Sequence, residues 1–204
     1  MTELIYTGKY YAGSRQELLS KVAQQMSKKR FKHVCGVEKA ALELAKANNC
    51  ELEKASVCAL VHDYAKEHSD QEFIRVIKEQ KMDADLLNWN NNIWHGIVGA
   101  KIIEAQLGIT DPEILSAVEK HTVGAPEMTV LEQILYVADY IEENRDFPGV
   151  AQARQIASQS LTRAVEFETK ATILHLLENE KTIYPAAILT YNAWVARKKV
   201  YDGK

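Results

Sequence analysis

The sequence predicts an all-α chain folded as one compact helical bundle over residues 1–204, and three observations carry that expectation. Capping boxes of the form S/T-x-x-E occur at Ser14/Glu17, Ser69/Glu72 and Thr129/Glu132, where hydroxyl and carboxylate satisfy each other's unpaired backbone N–H groups at a helix start. Apolar residues recur at helical spacing, while alternating runs bounded by turn residues are hard to find. With 47% hydrophobic and 26% charged residues in 204, the composition is that of an ordinary globular domain able to bury a core unaided.

In chain order, Ser14 opens a helix over 14–27, and a second follows over 29–48. The apolar run Ala55–Val61 places a third over 51–63, closed by the polar stretch Lys66 to Asp70. Ser69 caps a fourth over 70–80. Gly108 ends the helix over 92–107, as a residue free to adopt the left-handed conformation does. Asp111-Pro112 pairs a good cap with a proline whose missing N–H costs nothing at the first helical position, which starts 112–121. Leu131, Ile134, Leu135 and Ala138 form one stripe of a helix over 130–143. Asp146-Phe147-Pro148-Gly149 reads as a tight turn, followed by a long helix over 150–178 and, from Tyr184-Pro185, a last one over 185–200. No repeat, low-complexity tract or linker divides the chain.

The formal charge is -3, and no basic block is long enough to track a polyanion, so nucleic acid is not an expected partner. Lys28-Lys29-Arg30 and Arg197-Lys198-Lys199 are short and read as solvated helix faces. Cys35, Cys50 and Cys58 are too few and scattered for a disulfide framework or a metal clip. Met1 to Tyr11 lacks the apolar core of a signal peptide, and no run approaches the roughly 20 apolar residues that span a bilayer. These readings favour a cytoplasmic protein with no membrane partner, and a homodimer is compatible with them.

Histidines and carboxylates stand where a helical core would prefer Leu or Ala. His62 and Asp63 follow an apolar run, with Lys66 just beyond; His33, His95, His121 and Asp139 lie on other helices. Neighbours on a helix diverge by about 100 degrees, so His62 and Asp63 serve one centre only if it is wide or if the helix ends there. An HD pair alone is a weak signal, because a histidine at a buried helix end is often only a hydrogen-bonded core residue. His68 and His175 read as such bystanders, the first as an exposed one; Cys58 reads as a buried thiol, and Trp89, Trp94 and Trp194 as core aromatics.

The order and content of HDYAK (62–66), IWHG (93–96), EKHTVG (119–124) and ADYIEENRDFPGV (138–150) resemble the HD-domain superfamily of metal-dependent phosphohydrolases. Within it they are similar to the bacterial YqeK-type symmetrical bis(5'-nucleosyl)-tetraphosphatases, from about Lys29 onward. The resemblance implies the helical bundle of that superfamily. It implies one metal on His33, His62, Asp63 and Asp139, with Asp63 bridging to a second on His95 and His121. It also implies iron, and the mixed imidazole and carboxylate ligands suit iron, manganese or zinc better than calcium. Paired metals lower the pKa of a bound water, so the nucleophile needs no serine or cysteine. Asp63 and Lys66 are the expected catalytic residues, and Arg30, Lys66, Thr122 and Arg145 the expected contacts to a nucleotide substrate.

The reaction implied is hydrolysis of diadenosine tetraphosphate to two ADP. The alternatives are the same chemistry on a nucleoside monophosphate, a deoxynucleoside triphosphate or an alarmone, or a nucleotide-sensing or partner-binding helical module with a structural metal and no turnover. Glu143 stands where many relatives of that type have proline, which bears on the path of the chain toward Arg145.

Overall fold

A computed structural model describes residues 4–196, and among these there are helices and turns but no strand. The helices are α1 (Arg15–Gln24), α2 (Lys28–Ala47), α3 (Leu52–Val61), α4 (Asp70–Glu79), α5 (Asn91–Leu107), α6 (Pro112–Lys120), α7 (Val130–Ile141), α8 (Val150–Ala157), α9 (Leu161–Glu178) and α10 (Pro185–Tyr191). All three capping boxes form, and Asp111 accepts the Glu113 and Ile114 N–H groups. Gly108 closes α5 at a φ of 66°. Gly149, at a φ of 94°, leads the turn into α8, a conformation that glycine adopts more readily than residues with a side chain.

Three local expectations need correction. The segment expected as one helix over 150–178 is two, because the Ser160 side chain accepts the Arg163 N–H and starts α9 afresh. A 3₁₀ turn (Ala84–Asn88), capped by Asp83, was not anticipated. His68 is not an exposed histidine: its ring lies between Tyr64 and Phe73, with the side chain only 8% exposed. Beyond α10 the chain turns as a π-helix (Asn192–Ala196), and the remainder of the helix expected to 200, with Arg197-Lys198-Lys199, lies outside the described residues.

One apolar core runs from Tyr10 and Tyr11 through Val57–Val61, Ile102, Ile103, Leu131–Ala138 and Val165, and α2, α3, α5, α6, α7 and α9 all contribute to it. A smaller cluster of Val123, Ile173 and Ala187 seats α10. No described helix is long and apolar enough to cross a membrane. Two close approaches position the polar residues inside this frame. At Gly96 a Cβ would lie 3.0 Å from the Val118 carbonyl and 3.4 Å from Thr122 Oγ1, so the bare backbone lets α5 meet the end of α6. At Gly36 a Cβ would overlap Glu142 Oε2, so the bare backbone of α2 leaves the space that the Glu142 carboxylate occupies.

Candidate metal centre

The structure draws His33, His62, Asp63, His95, His121 and Asp139 into one cluster. His33 comes from α2, His95 from α5 and Asp139 from α7, while His121 is the residue on which α6 ends. The helix problem at the HD pair is solved locally: α3 stops at Val61, His62 is its cap, and Asp63 begins the turn that follows. His62 itself keeps helical angles, and the two neighbours still converge, with His62 Nε2 3.5 Å from Asp63 Oδ2.

Asp63 divides its two oxygens. Its Oδ2 lies 3.6 Å from His33 Nε2 and 3.5 Å from His62 Nε2, while its Oδ1 lies 3.5 Å from His95 Nε2 and 3.9 Å from His121 Nε2. Asp139 Oδ1 approaches His33 Nε2 to 3.0 Å. Two sets, His33/His62/Asp139 and His62/Asp63/His121, each bring one donor atom per residue within 4.8 Å of the others. His62 is common to both.

Every one of the four imidazoles is aimed from behind. His62 Nδ1 donates to the Ala59 carbonyl at 2.7 Å, His95 Nδ1 to Asn91 at 2.6 Å and His121 Nδ1 to Val118 at 2.7 Å. His33 Nδ1 instead faces Glu142 Oε1 at 3.2 Å. Such a hydrogen bond fixes the tautomer, leaving the lone pair on Nε2 directed inward, as metal-ligating histidines are held. The inward atoms have few partners: His62 Nε2 is buried and makes no hydrogen bond, and His33 Nε2 faces only the Asp139 and Asp63 carboxylates. His95 Nε2 and His121 Nε2 face each other at 3.1 Å, an approach that two lone pairs tolerate only beside a cation or a shared proton. The donor set therefore fits a divalent metal bound by imidazole and carboxylate.

The charges agree. Burial takes His62 down to about 4, against the pull of Asp63 and Asp139, and burial with the neighbouring His121 and Lys66 takes His95 to about 3. Burial by itself would raise Asp63, but the surrounding imidazoles hold its carboxyl well below the usual range. Burial alone would also lower His33; the Asp139 carboxylate outweighs it and holds the ring above the ordinary histidine value.

An open cleft of about 310 Å³ leads to the cluster, lined among others by Arg30, Lys66, Thr122, Arg145 and Glu168. Arg30 Nη1 is 2.8 Å from Asp63 Oδ2, and Arg145 Nη2 is 2.6 Å from Asp139 Oδ1. Lys66 Nζ lies 3.2 Å from His95 Nδ1, and Thr122 Oγ1 is buried without a partner. Glu143 does not disturb this path, since it points outward to Lys39 while Arg145 turns in. Two residues of the site were not singled out in the sequence. Glu142 is buried and takes the Asn144 N–H and side-chain amide on Oε2 at 2.7 and 2.8 Å, which steadies its other oxygen against His33. Glu168 is buried in the cleft wall, and burial together with the Asp139 charge pushes its carboxyl well up. Both look like solvent-facing helix carboxylates in sequence; only Gly36, three residues after His33, hinted at the close crossing that buries Glu142.

Comparison with known proteins gives the same grouping. The HD domain family model matches residues 30–144. The chain is 41% identical over 179 residues to the symmetrical bis(5'-nucleosyl)-tetraphosphatase of Bacillus subtilis (strain 168), covering 88% of this chain and 96% of that one. It is 36% identical over 186 residues to the protein of the same name from Halalkalibacterium halodurans, covering 91% of this chain and all of its relative. A crystal structure of a predicted HD superfamily hydrolase involved in NAD metabolism, from Clostridium acetobutylicum, superposes with a TM-score of 0.85 at 31% identity, covering 91% of this chain and 98% of that one. With its HD pair at the end of α3, three further histidines aimed at it and relatives aligned along nearly their whole length, the chain belongs to the HD domain family, among the bis(5'-nucleosyl)-tetraphosphatase relatives.

Proposed function

We propose that the chain is a metal-dependent phosphohydrolase that cleaves diadenosine tetraphosphate and related dinucleoside polyphosphates symmetrically. The observation that carries this reading is the division of Asp63, one oxygen toward His33 and His62 and the other toward His95 and His121. That arrangement suits two ions sharing one carboxylate, with iron the ion the family resemblance favours. His33, His62, Asp63, His95, His121 and Asp139 would hold such ions, which would supply an acidified water and positive charge for a phosphoryl group.

The chain's own residues do the rest. Arg30 and Arg145 present guanidinium groups in the cleft beside the two carboxylates, where they would pair with phosphate oxygens of the substrate. Lys66, partly buried against His95, supplies a positive charge on the other flank. Thr122 Oγ1 is free to donate to a phosphate oxygen from the α6 side. In the reaction the oxygen of water bonds to an inner phosphorus, the central bridging P–O bond breaks, and the bridging oxygen leaves with the other half. One water thus converts diadenosine tetraphosphate into two ADP.

The test is product identification by ion-exchange chromatography with iron or manganese present. ADP as the sole nucleotide product is expected; AMP with ATP, or no turnover with either metal, overturns the assignment. NAD belongs in the same assay, because the neighbour from Clostridium acetobutylicum carries NAD metabolism in its title. A preference for NAD would move the activity to a different bridged dinucleotide.

A further inference from the structure

A second cleft, of about 440 Å³, adjoins the first across Arg30 and Arg145, which line both. Its other walls include Ser27, Lys29, Lys32, His33, Glu67 and Asn144. Each cleft has the size of an ordinary small-ligand site. The acids of the second one are already occupied: Glu67 accepts the Ser27 N–H and hydroxyl at 2.6 and 2.7 Å, and Glu142 is held by Asn144 and His33. Its lysines are not. Lys29 and Lys32 are exposed, make no ion pair among the described residues, and stand one turn apart on the same face of α2. The cleft therefore presents surplus positive charge directly beside the metal cluster.

Symmetrical cleavage makes a demand that one cleft cannot meet. The bond that breaks is at the middle of the chain, so an identical nucleoside diphosphate half lies on each side of the breaking bond. In-line displacement sends the leaving half away from the attacking water, so the two halves need separate space. We propose that the second cleft binds the second nucleoside diphosphate half, with its phosphates on Lys29 and Lys32 and Asn144 on the opposite wall. This rests on the hydrolase reading above, and it makes α2 the element that selects a two-ended substrate.

The experiment uses the metal-loaded chain and two readouts. Calorimetric titration with ADP is expected to give two molecules per chain for the wild type and one for Lys29→Glu/Lys32→Glu. The same double variant should raise KM for diadenosine tetraphosphate by about tenfold or more, the loss of a charge-assisted phosphate contact, while kcat at saturation stays within about twofold. Both positions are exposed, and an unchanged melting temperature verifies the fold. Lys28→Glu, on the same turn but outside the cleft, is the control for net charge. A single ADP on the wild type, an unmoved KM in the double variant, or an equal rise with Lys28→Glu each overturns the second cleft. Absent turnover in the wild type would instead sink the hydrolase reading, and the ADP stoichiometry would then judge the cleft alone.

Discussion

Asp63 sits at the junction of two imidazole pairs, 3% exposed, and no other carboxylate in the cluster reaches both. Asp63→Asn keeps its shape and removes its charge. Metal analysis should show loss at both positions, at least as large as the roughly 10–100-fold that follows loss of a partner one layer further out. Near-wild-type metal content would contradict a bridging role. The histidines set the acid limb of stability. An unfolded imidazole takes its proton near 6.5, whereas His62 and His95 do so only near 4 and 3 in the folded chain. Between those values the unfolded state binds more protons, so the metal-free chain should lose stability as pH falls from about 6.5 to about 4. His33, held above its ordinary value, works the other way, one group against two. Urea midpoints across that range test this, and a flat profile would contradict it. Glu168 has the opposite sign: its raised carboxyl favours folding below its unfolded value and loses that contribution as pH rises. Glu168→Gln removes the cost of charging it, and about 1 kcal/mol gained at neutral pH would appear as a melting temperature some 2–4 °C higher. The histidines were legible in the sequence because imidazoles are conspicuous among Leu and Ala. Glu142 and Glu168 were not, since a carboxylate on a helix is normally wet and only the packing of other helices dries it.

At the scale of helices, the crossing of α2 over the end of α7 does the aligning. Gly36 leaves the space that Glu142 fills, and Glu142 orients His33. Gly36→Ala should therefore weaken metal binding by roughly 10–100-fold, through displacement of Glu142, with helix content unchanged. Glu142→Gln should reproduce part of that loss. Metal titration with circular dichroism separates the two effects, and full affinity in Gly36→Ala would show that Glu142 is dispensable. Helix starts were readable because Ser14, Ser69, Asp111 and Thr129 announce them through their own side chains. The break between α8 and α9 was hidden, because Ser158-Gln159-Ser160 contains no glycine or proline and the apolar spacing continues across it. Likewise the 3₁₀ turn follows from Asp83 capping Asp85, a contact too short-ranged to show in a periodic pattern.

For the molecule as a whole, the apolar core and not the polar cluster carries the fold. The core extends beyond the segment that the family resemblance covers. Tyr10 and Tyr11 are buried, Tyr6 bonds Ser56 at 2.7 Å, and Arg15 grips the buried Glu38 with two hydrogen bonds. None of these long-range partners could be paired from one sequence. Chelation should accordingly abolish turnover while the far-ultraviolet helix signal persists, with a melting temperature lowered by the lost binding energy. Collapse of the helix signal on chelation would favour the structural-metal alternative. The backing of the four imidazoles has a further consequence. Three lean on carbonyls of their own helix ends, which no side-chain replacement can remove, but His33 leans on a single carboxylate from another helix. Its side of the pair is the weaker one. If two ions bind as proposed, scarcity would empty the His33 side first and leave one ion on His95 and His121 without turnover, so activity would return only after a lag as supply rises.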